Sequence, residues 1–112
     1  MKIRALFTIG LFFLATSTQA QKVYSVDSEW KADVKIFVVN SEWKADLNVF
    51  KVDSEWKADG NEGVWFFTDS EWKADKKVYF VDSEWKADIK IFFVDSEWKA
   101  KWKEREKIHL MY

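Results

Sequence analysis

The 112-residue sequence contains no cysteine, no proline, one histidine and three glycines. The absence of cysteine excludes disulfides, thiolate metal sites and a cysteine nucleophile. A single histidine leaves little basis for a zinc site or for histidine-based acid–base catalysis. Three glycines are too few for a fold built on repeated tight glycine turns. We therefore predict neither an enzyme nor a metal- or cofactor-dependent protein.

The chain also lacks an excess of positive or of negative charge. The chain has 18 Lys plus Arg and 19 Asp plus Glu, so its formal net charge is −1. This balance excludes the strongly basic surface expected of a nucleic-acid-binding protein. A hydrophobic content of 48% excludes a disordered composition, and the length suffices for one domain. Eight Trp and ten Phe make the chain unusually rich in aromatic residues.

The first twenty residues have the organisation of a secretory signal peptide. Lys2 and Arg4 precede a short apolar run, residues 5–15, and small residues precede a cleavage point after Ala20. The run is too short to span a bilayer comfortably. We expect an exported chain, periplasmic or secreted, that starts at Gln21. No later stretch is apolar enough to be a transmembrane segment.

The rest of the chain consists largely of repeats of one short sequence motif. Ser-Glu-Trp-Lys-Ala occurs six times at intervals of 13, 13, 16, 13 and 13 residues, starting at Ser28, Ser41, Ser54, Ser70, Ser83 and Ser96. The three extra residues fall at Gly60–Gly63 and divide the array into three plus three units. A fixed short period indicates an array of one supersecondary unit. We predict a repeat domain over residues 21–100 and a capping tail over residues 101–112.

Within a unit the residues alternate as they do in half-buried β-strands. In the Ser-Glu-Trp-Lys-Ala-Asp segment, Trp shares a face with Ser and Ala, and the charged residues lie opposite. This pattern predicts a column of core tryptophans: Trp30, Trp43, Trp56, Trp72, Trp85 and Trp98. The opposing hypothesis is that they form a row of exposed platforms on which sugar rings stack.

The apolar stretch before each copy also alternates, with two apolar faces. The first carries aromatic residues such as Tyr24 and Phe37, and we assign it to the core. The second would then face outward, as a stripe that includes Val78, Phe80, Ile91, Phe93 and Phe67. An exposed apolar stripe indicates an interface, so we expect a homodimer, another exported protein as partner, or cover from the tail residues Trp102, Ile108, Leu110 and Met111.

Two short strands and two bends fit a 13-residue unit. We predict an all-β fold, a single-domain β-solenoid of about six coils in which equivalent residues stack about 4.8 Å apart. The alternative is an antiparallel β-meander or barrel of repeated hairpins. Bends without glycine favour the solenoid, because two-residue hairpins prefer Asn-Gly or Asp-Gly.

Units of the form K-V-Y-x-V-D-S-E-W-K-A-D, after a signal peptide and before a tail ending in H-L-M-Y, resemble an uncharacterised family of exported bacterial repeat proteins. The resemblance covers Lys22 to Tyr112 and includes the Gly60–Gly63 insertion. The family is a domain of unknown function, so the resemblance implies no catalytic, cofactor or binding residues.

The remaining polar residues favour no catalytic site. The repeated carboxylates, such as Asp27, Glu29 and Asp33, have Lys31 among them, which indicates a solvated face rather than a calcium site. His109 is expected at the surface. The repeated serines have no histidine partner to act as a base.

Two classes of function remain, a structural or protein-interaction repeat module and a module that binds carbohydrate or another small ligand through the Trp row. Burial of the Trp rings distinguishes them. Buried rings indicate a scaffold, whereas exposed rings in a row indicate a ligand platform.

Export is directly testable. Intact-mass measurement of the protein recovered from the periplasm or medium should give a chain starting at Gln21, because the small residues before the cut suit a signal peptidase. A chain that retains Met1 in the cytoplasm would contradict the prediction.

Overall fold

The computed structural model describes residues 21–55 and 62–111. The predicted signal peptide, Trp56 and the first residues of the insertion lie outside this part. The described residues form seven β-strands: β1 (Gln21–Ser25), β2 (Val34–Val38), β3 (Leu47–Val52), β4 (Val64–Phe67), β5 (Lys76–Phe80), β6 (Ile89–Phe93) and β7 (Lys101–Trp102). A 3₁₀-helix, Arg105–Met111, ends this part of the chain.

The first six strands close into a parallel barrel. Their order around the barrel is β4, β1, β5, β2, β6, β3, and β3 pairs again with β4. All six of these pairings are parallel, whereas β7 adds to the start of β3 in the antiparallel direction. Closure leaves none of the six strands with a free edge.

The two halves of the array alternate around this barrel. The strands before the insertion, β1 to β3, pair only with strands after it, β4 to β6, and with β7. The chain therefore passes around the barrel twice. Its first passage, β1 to β3, which we call the first lap, occupies every second position, and its second lap, β4 to β6, fills the positions between them. Among the seven strands, consecutive ones are hydrogen-bonded neighbours only at β3 and β4, on either side of the insertion.

A constant register brings equivalent residues to one level of the barrel. Val78 occupies the same place in its unit as Val23, yet it pairs with Ser25, two residues further on. The same displacement recurs at all six pairings. The side chains at this level fill the interior and are fully buried: Val23, Ile36, Val49, Trp65, Val78 and Ile91.

Apart from the segment between β3 and β4, which are direct neighbours, each connection between strands is an arch that crosses the intervening strand. In the arch of residues 26–33, the amide of Val26 donates to Val78 O at 2.9 Å. The amide of Asp33, at the other end, donates to Lys77 O at 2.7 Å. Both acceptors lie on β5, and since the interior is filled by side chains, the arch passes over its outer face.

The same crossing recurs with the two laps exchanged. The arch of residues 68–75 spans β1, and the arch of residues 81–88 spans β2. First-lap arches therefore cover second-lap strands, and second-lap arches cover first-lap strands. The chain is entangled with itself, an arrangement that folded proteins rarely adopt.

The Asp that ends each arch joins it to the crossed strand. Asp33 Oδ2 accepts the Lys77 amide at 2.9 Å, and Asp75 Oδ2 accepts the Lys22 amide at 2.8 Å. Asp46 and Asp88 repeat the contact with other strands. A carboxylate at this position therefore satisfies a backbone donor that the parallel ladder leaves unused.

The tail lies across the end of the barrel where the strands begin. Trp102 and Met111 are buried against the interior side chains of the barrel, with which they form one core cluster, and Ile108 and Leu110 pack against this cluster. The Gln21 side-chain amide donates to Met111 O. Lys107 Nζ reaches Asp46 Oδ2 at 2.9 Å.

The all-β class is confirmed, but neither predicted arrangement is found. The solenoid of stacked coils is not confirmed, since within each half of the array the next unit along the chain is not the next strand in the sheet. The alternative, an antiparallel meander or barrel of repeated hairpins, is replaced by a closed barrel of parallel strands. The prediction for the two faces was wrong, because the β-branched face fills the barrel and aromatic residues such as Tyr24 and Phe37 lie half-buried outside. A six-stranded interior is narrow, which favours the smaller β-branched side chains found at five of the six positions, with Trp65 at the sixth.

Gly63 allows the second lap to begin. Its φ is +98°, in the region that favours glycine, and an added Cβ would lie 2.4 Å from Asn48 O. Its own carbonyl accepts the Phe50 amide at 2.8 Å. The backbone of β3 therefore approaches this position too closely for any side chain.

No helix within residues 21–55 and 62–111 is long and apolar enough to cross a membrane.

Gly63→Ala should destabilise the fold by about 2–4 kcal/mol, because it combines a strained φ with a clash against backbone. Urea unfolding provides the measurement. Glu62→Ala, the exposed neighbour, is the matched control and should change stability by about 0.5 kcal/mol or less. Equal effects of the two substitutions would show that β3 does not pack closely on Gly63.

Candidate functional site: the tryptophan arches

The described repeated tryptophans lie at the outer points of the arches. Each of the five described Glu-Trp-Lys segments forms one turn of 3₁₀-helix, as at Glu29–Lys31 and Glu84–Lys86. The Lys amide donates to the carbonyl of the preceding Ser, with an N–O distance of 3.1 Å at Lys31. The five described rings are 77–82% exposed: Trp30, Trp43, Trp72, Trp85 and Trp98.

The prediction of a Trp core was therefore wrong. The alternation in Ser-Glu-Trp-Lys-Ala is typical of a strand, but the segment is a turn with three residues per turn. The Glu and Lys that flank each Trp are the feature from which exposure could have been predicted, because two adjacent charged residues fit a solvated turn as well as one face of a strand. Within residues 21–55 and 62–111, the buried tryptophans are Trp65 and Trp102, which lie outside the repeated motif.

The five exposed rings form a girdle around the barrel. They sit on the arches that cross β1, β5, β2, β6 and β3, which are consecutive positions in the closed sheet. The order around the girdle is Trp72, Trp30, Trp85, Trp43 and Trp98. Rings from the two halves of the sequence therefore alternate as neighbours, and they project in different directions.

Charged side chains surround each ring. The following Lys places its ammonium 5.5–5.6 Å from the ring centroid, as Lys31 does at Trp30. On three arches this Lys also pairs with the Asp four residues before it, at 3.1 Å between Lys99 and Asp95. The hydrogen bond from Lys99 lowers the pKa of Asp95. These contacts orient each ring and leave most of its surface open.

A groove of about 590 Å³ lies beside Trp30 at the start of β2. Its lining is Glu29, Trp30, Ala32, Asp33, Val34, Lys35 and Asp88. Lys35 Nζ pairs with Glu29 Oε2 at 3.5 Å across the groove. The groove thus offers one exposed aromatic face for stacking and several charged groups for hydrogen bonds.

The predicted interface stripe is not exposed. Val78 and Ile91 are fully buried in the barrel. Phe67, Phe80 and Phe93 are half-buried at the end of the barrel where the strands finish, packed against the core cluster. The Lys51 ammonium lies 5.4 Å from two of these rings. The homodimer stays a prediction without this surface to support it.

The remaining singled-out residues, His109 and the carboxylates, lie at the surface. His109 is exposed in the tail, and its Nδ1 lies 3.0 Å from Glu106 O. No group of three or more potential ligands for a metal ion occurs within residues 21–55 and 62–111. Asp27 and Asp33, proposed above as part of a solvated face, are exposed.

Trp emission should be red-shifted and readily quenched by acrylamide, because most of the described rings face solvent.

Trp85→Ala should lower the free energy of unfolding by about 1 kcal/mol or less, whereas Trp65→Ala should lower it by about 3–5 kcal/mol through the cavity it leaves. Fluorescence and urea unfolding of both variants provide the test. Blue-shifted, protected emission with a large loss at Trp85 would restore the core assignment.

Comparison with known proteins identifies one family. The family described as the 7(1) septoil knot domain matches residues 20–103. Its function is unknown, as the resemblance in the sequence implied. No curated protein and no solved structure matches the chain.

Proposed function

We propose that this chain, which belongs to the 7(1) septoil knot domain family, is an exported carbohydrate-binding module. The observation that carries the proposal is the exposure of the repeated Trp rings, 77–82% at the five described positions. Burying a ring of this size is strongly favourable. Its repeated exposure on turns that are closed by backbone hydrogen bonds therefore supports a ligand-binding role.

The surroundings of the rings favour a sugar over a large protein surface. Protein interfaces are depleted of charged residues at their centre, whereas each of these rings lies between Glu and Lys. Because the girdle curves around the barrel, a flat partner can contact only part of it. A sugar ring can stack one apolar face on a single indole while its hydroxyl groups bond to the flanking charges.

The barrel holds the platforms in fixed positions. Both ends of each described arch are tied to the crossed strand by backbone hydrogen bonds or, at the last arch, by the β7 pairing. A rigid presentation lowers the entropy lost on binding. Several equivalent platforms would also allow one polysaccharide to bind by more than one ring, which raises its apparent affinity.

A panel of hexasaccharides tests the proposal: oligomers of β-1,4-glucose, α-1,4-glucose, N-acetylglucosamine and glucosamine. At least one should bind saturably by calorimetry and change the Trp fluorescence. A variant with all six repeated Trp changed to Ala should lose binding while keeping its fold. The matched variant with Phe at these positions should keep part of it, since a smaller aromatic face remains.

Two results would overturn the proposal. One is the absence of binding to every hexasaccharide at millimolar concentration. The other is equal binding by the wild type and the variant that lacks the six rings.

A further inference from the structure

The tail of this chain already occupies one of the grooves between the arches. At the start of β3, Lys107 Nζ contacts Asp46 Oδ2 at 2.9 Å and Lys103 Nζ donates to Glu42 O at 2.6 Å. The amides of Lys103 and Glu104 donate to Asp46 O at 2.8 and 3.0 Å. Asp46 is 9% exposed as a result. This groove binds primary ammonium groups from within the molecule.

The groove beside Trp30 has the corresponding groups without the tail. Glu29 and Asp33 stand where Glu42 and Asp46 stand in the next unit, and Asp88 adds a carboxylate from the neighbouring arch. Lys35 pairs with Glu29. Among the described residues, no cation pairs with Asp33 or Asp88. The groove therefore holds three carboxylates against one ammonium.

We infer that the groove formed by Glu29, Trp30, Asp33, Lys35 and Asp88 binds a primary ammonium group carried on a sugar ring, as in glucosamine oligomers. The inference rests on the proposed function and narrows its ligand to cationic sugars. Trp30 receives the face of the ring, and Asp33 and Asp88 accept hydrogen bonds from the ammonium. Charge-assisted hydrogen bonds of this kind are stronger than neutral ones.

An N-acetylated sugar is the discriminating comparison. Its amide nitrogen carries no charge, so it keeps the stacking contact with Trp30 and loses the attraction to the carboxylates. The ratio of the affinities for glucosamine and N-acetylglucosamine oligomers therefore measures the contribution of the carboxylates to binding.

Calorimetric titration of the whole protein with hexamers of glucosamine and of N-acetylglucosamine tests this, at a pH that keeps the amines protonated. The glucosamine hexamer should bind about tenfold more tightly, the difference expected for one charge-assisted hydrogen bond. Asp33→Asn and Asp88→Asn should each remove most of that preference. Asn Oδ1 can still accept the Lys77 or Lys35 amide, so both variants should fold.

The matched control is Asp82→Asn, which makes the same charge change in the unit of Asp88. Asp82 lies outside the groove, where it pairs with Lys86 at 3.6 Å. Its substitution should leave the preference unchanged.

The outcomes separate this inference from the proposed function. Equal affinity for the two hexamers, unaffected by the Asn variants, would overturn the inference and leave carbohydrate binding intact. Binding of neither hexamer would overturn the inference too, and failure of the whole panel would overturn the function as well. Binding of hexalysine as tightly as the glucosamine hexamer, with no loss in Trp30→Ala, would overturn the assignment to a sugar.

Discussion

Hydrogen bonding between the two halves of the array is the constraint on which the rest of the structure depends. Every strand of the first half pairs only with strands that follow the insertion. Neither half contains a sheet of its own. The interior layer, the arches and the girdle therefore form only when both laps are in place. Bringing such distant segments together costs chain entropy, and the stabilising contacts form only after that cost has been met.

The repeat supports both the fold and the proposed site. The Asp that ends an arch satisfies a backbone donor of the crossed strand, as Asp33 does at Lys77. Because that contact fixes the arch, it also fixes the Trp at its outer point. The near-identity of the units therefore gives a barrel with constant register and, around it, rings in equivalent settings. The tail interrupts this equivalence at Asp46 and leaves the groove at Trp30 open.

Part of this structure could be predicted from the sequence. Alternation in the apolar stretches correctly indicated strands. The choice between their two faces failed because both are apolar, and only the narrow closed barrel selects β-branched residues such as Val23 and Ile36 for the interior. Pairing between distant halves could not be predicted, since local alternation contains no information on which strand is the neighbour.

The Trp arches show the same limit at the candidate site. A 3₁₀-turn and a short strand both tolerate Ser-Glu-Trp-Lys-Ala, so the pattern alone could not decide whether Trp30 is buried. The groove was beyond prediction because Asp88 reaches it from a unit more than fifty residues away.

The most direct test of the interleaved pairing is an amide ¹H–¹⁵N correlation spectrum of the isolated first half, residues 21–59. If β1 to β3 depend on β4 to β6 for every parallel pairing, this fragment should give the narrow amide dispersion of an unfolded chain. A well-dispersed spectrum from the monomeric fragment would show that the first three units form a sheet by themselves and would contradict the account.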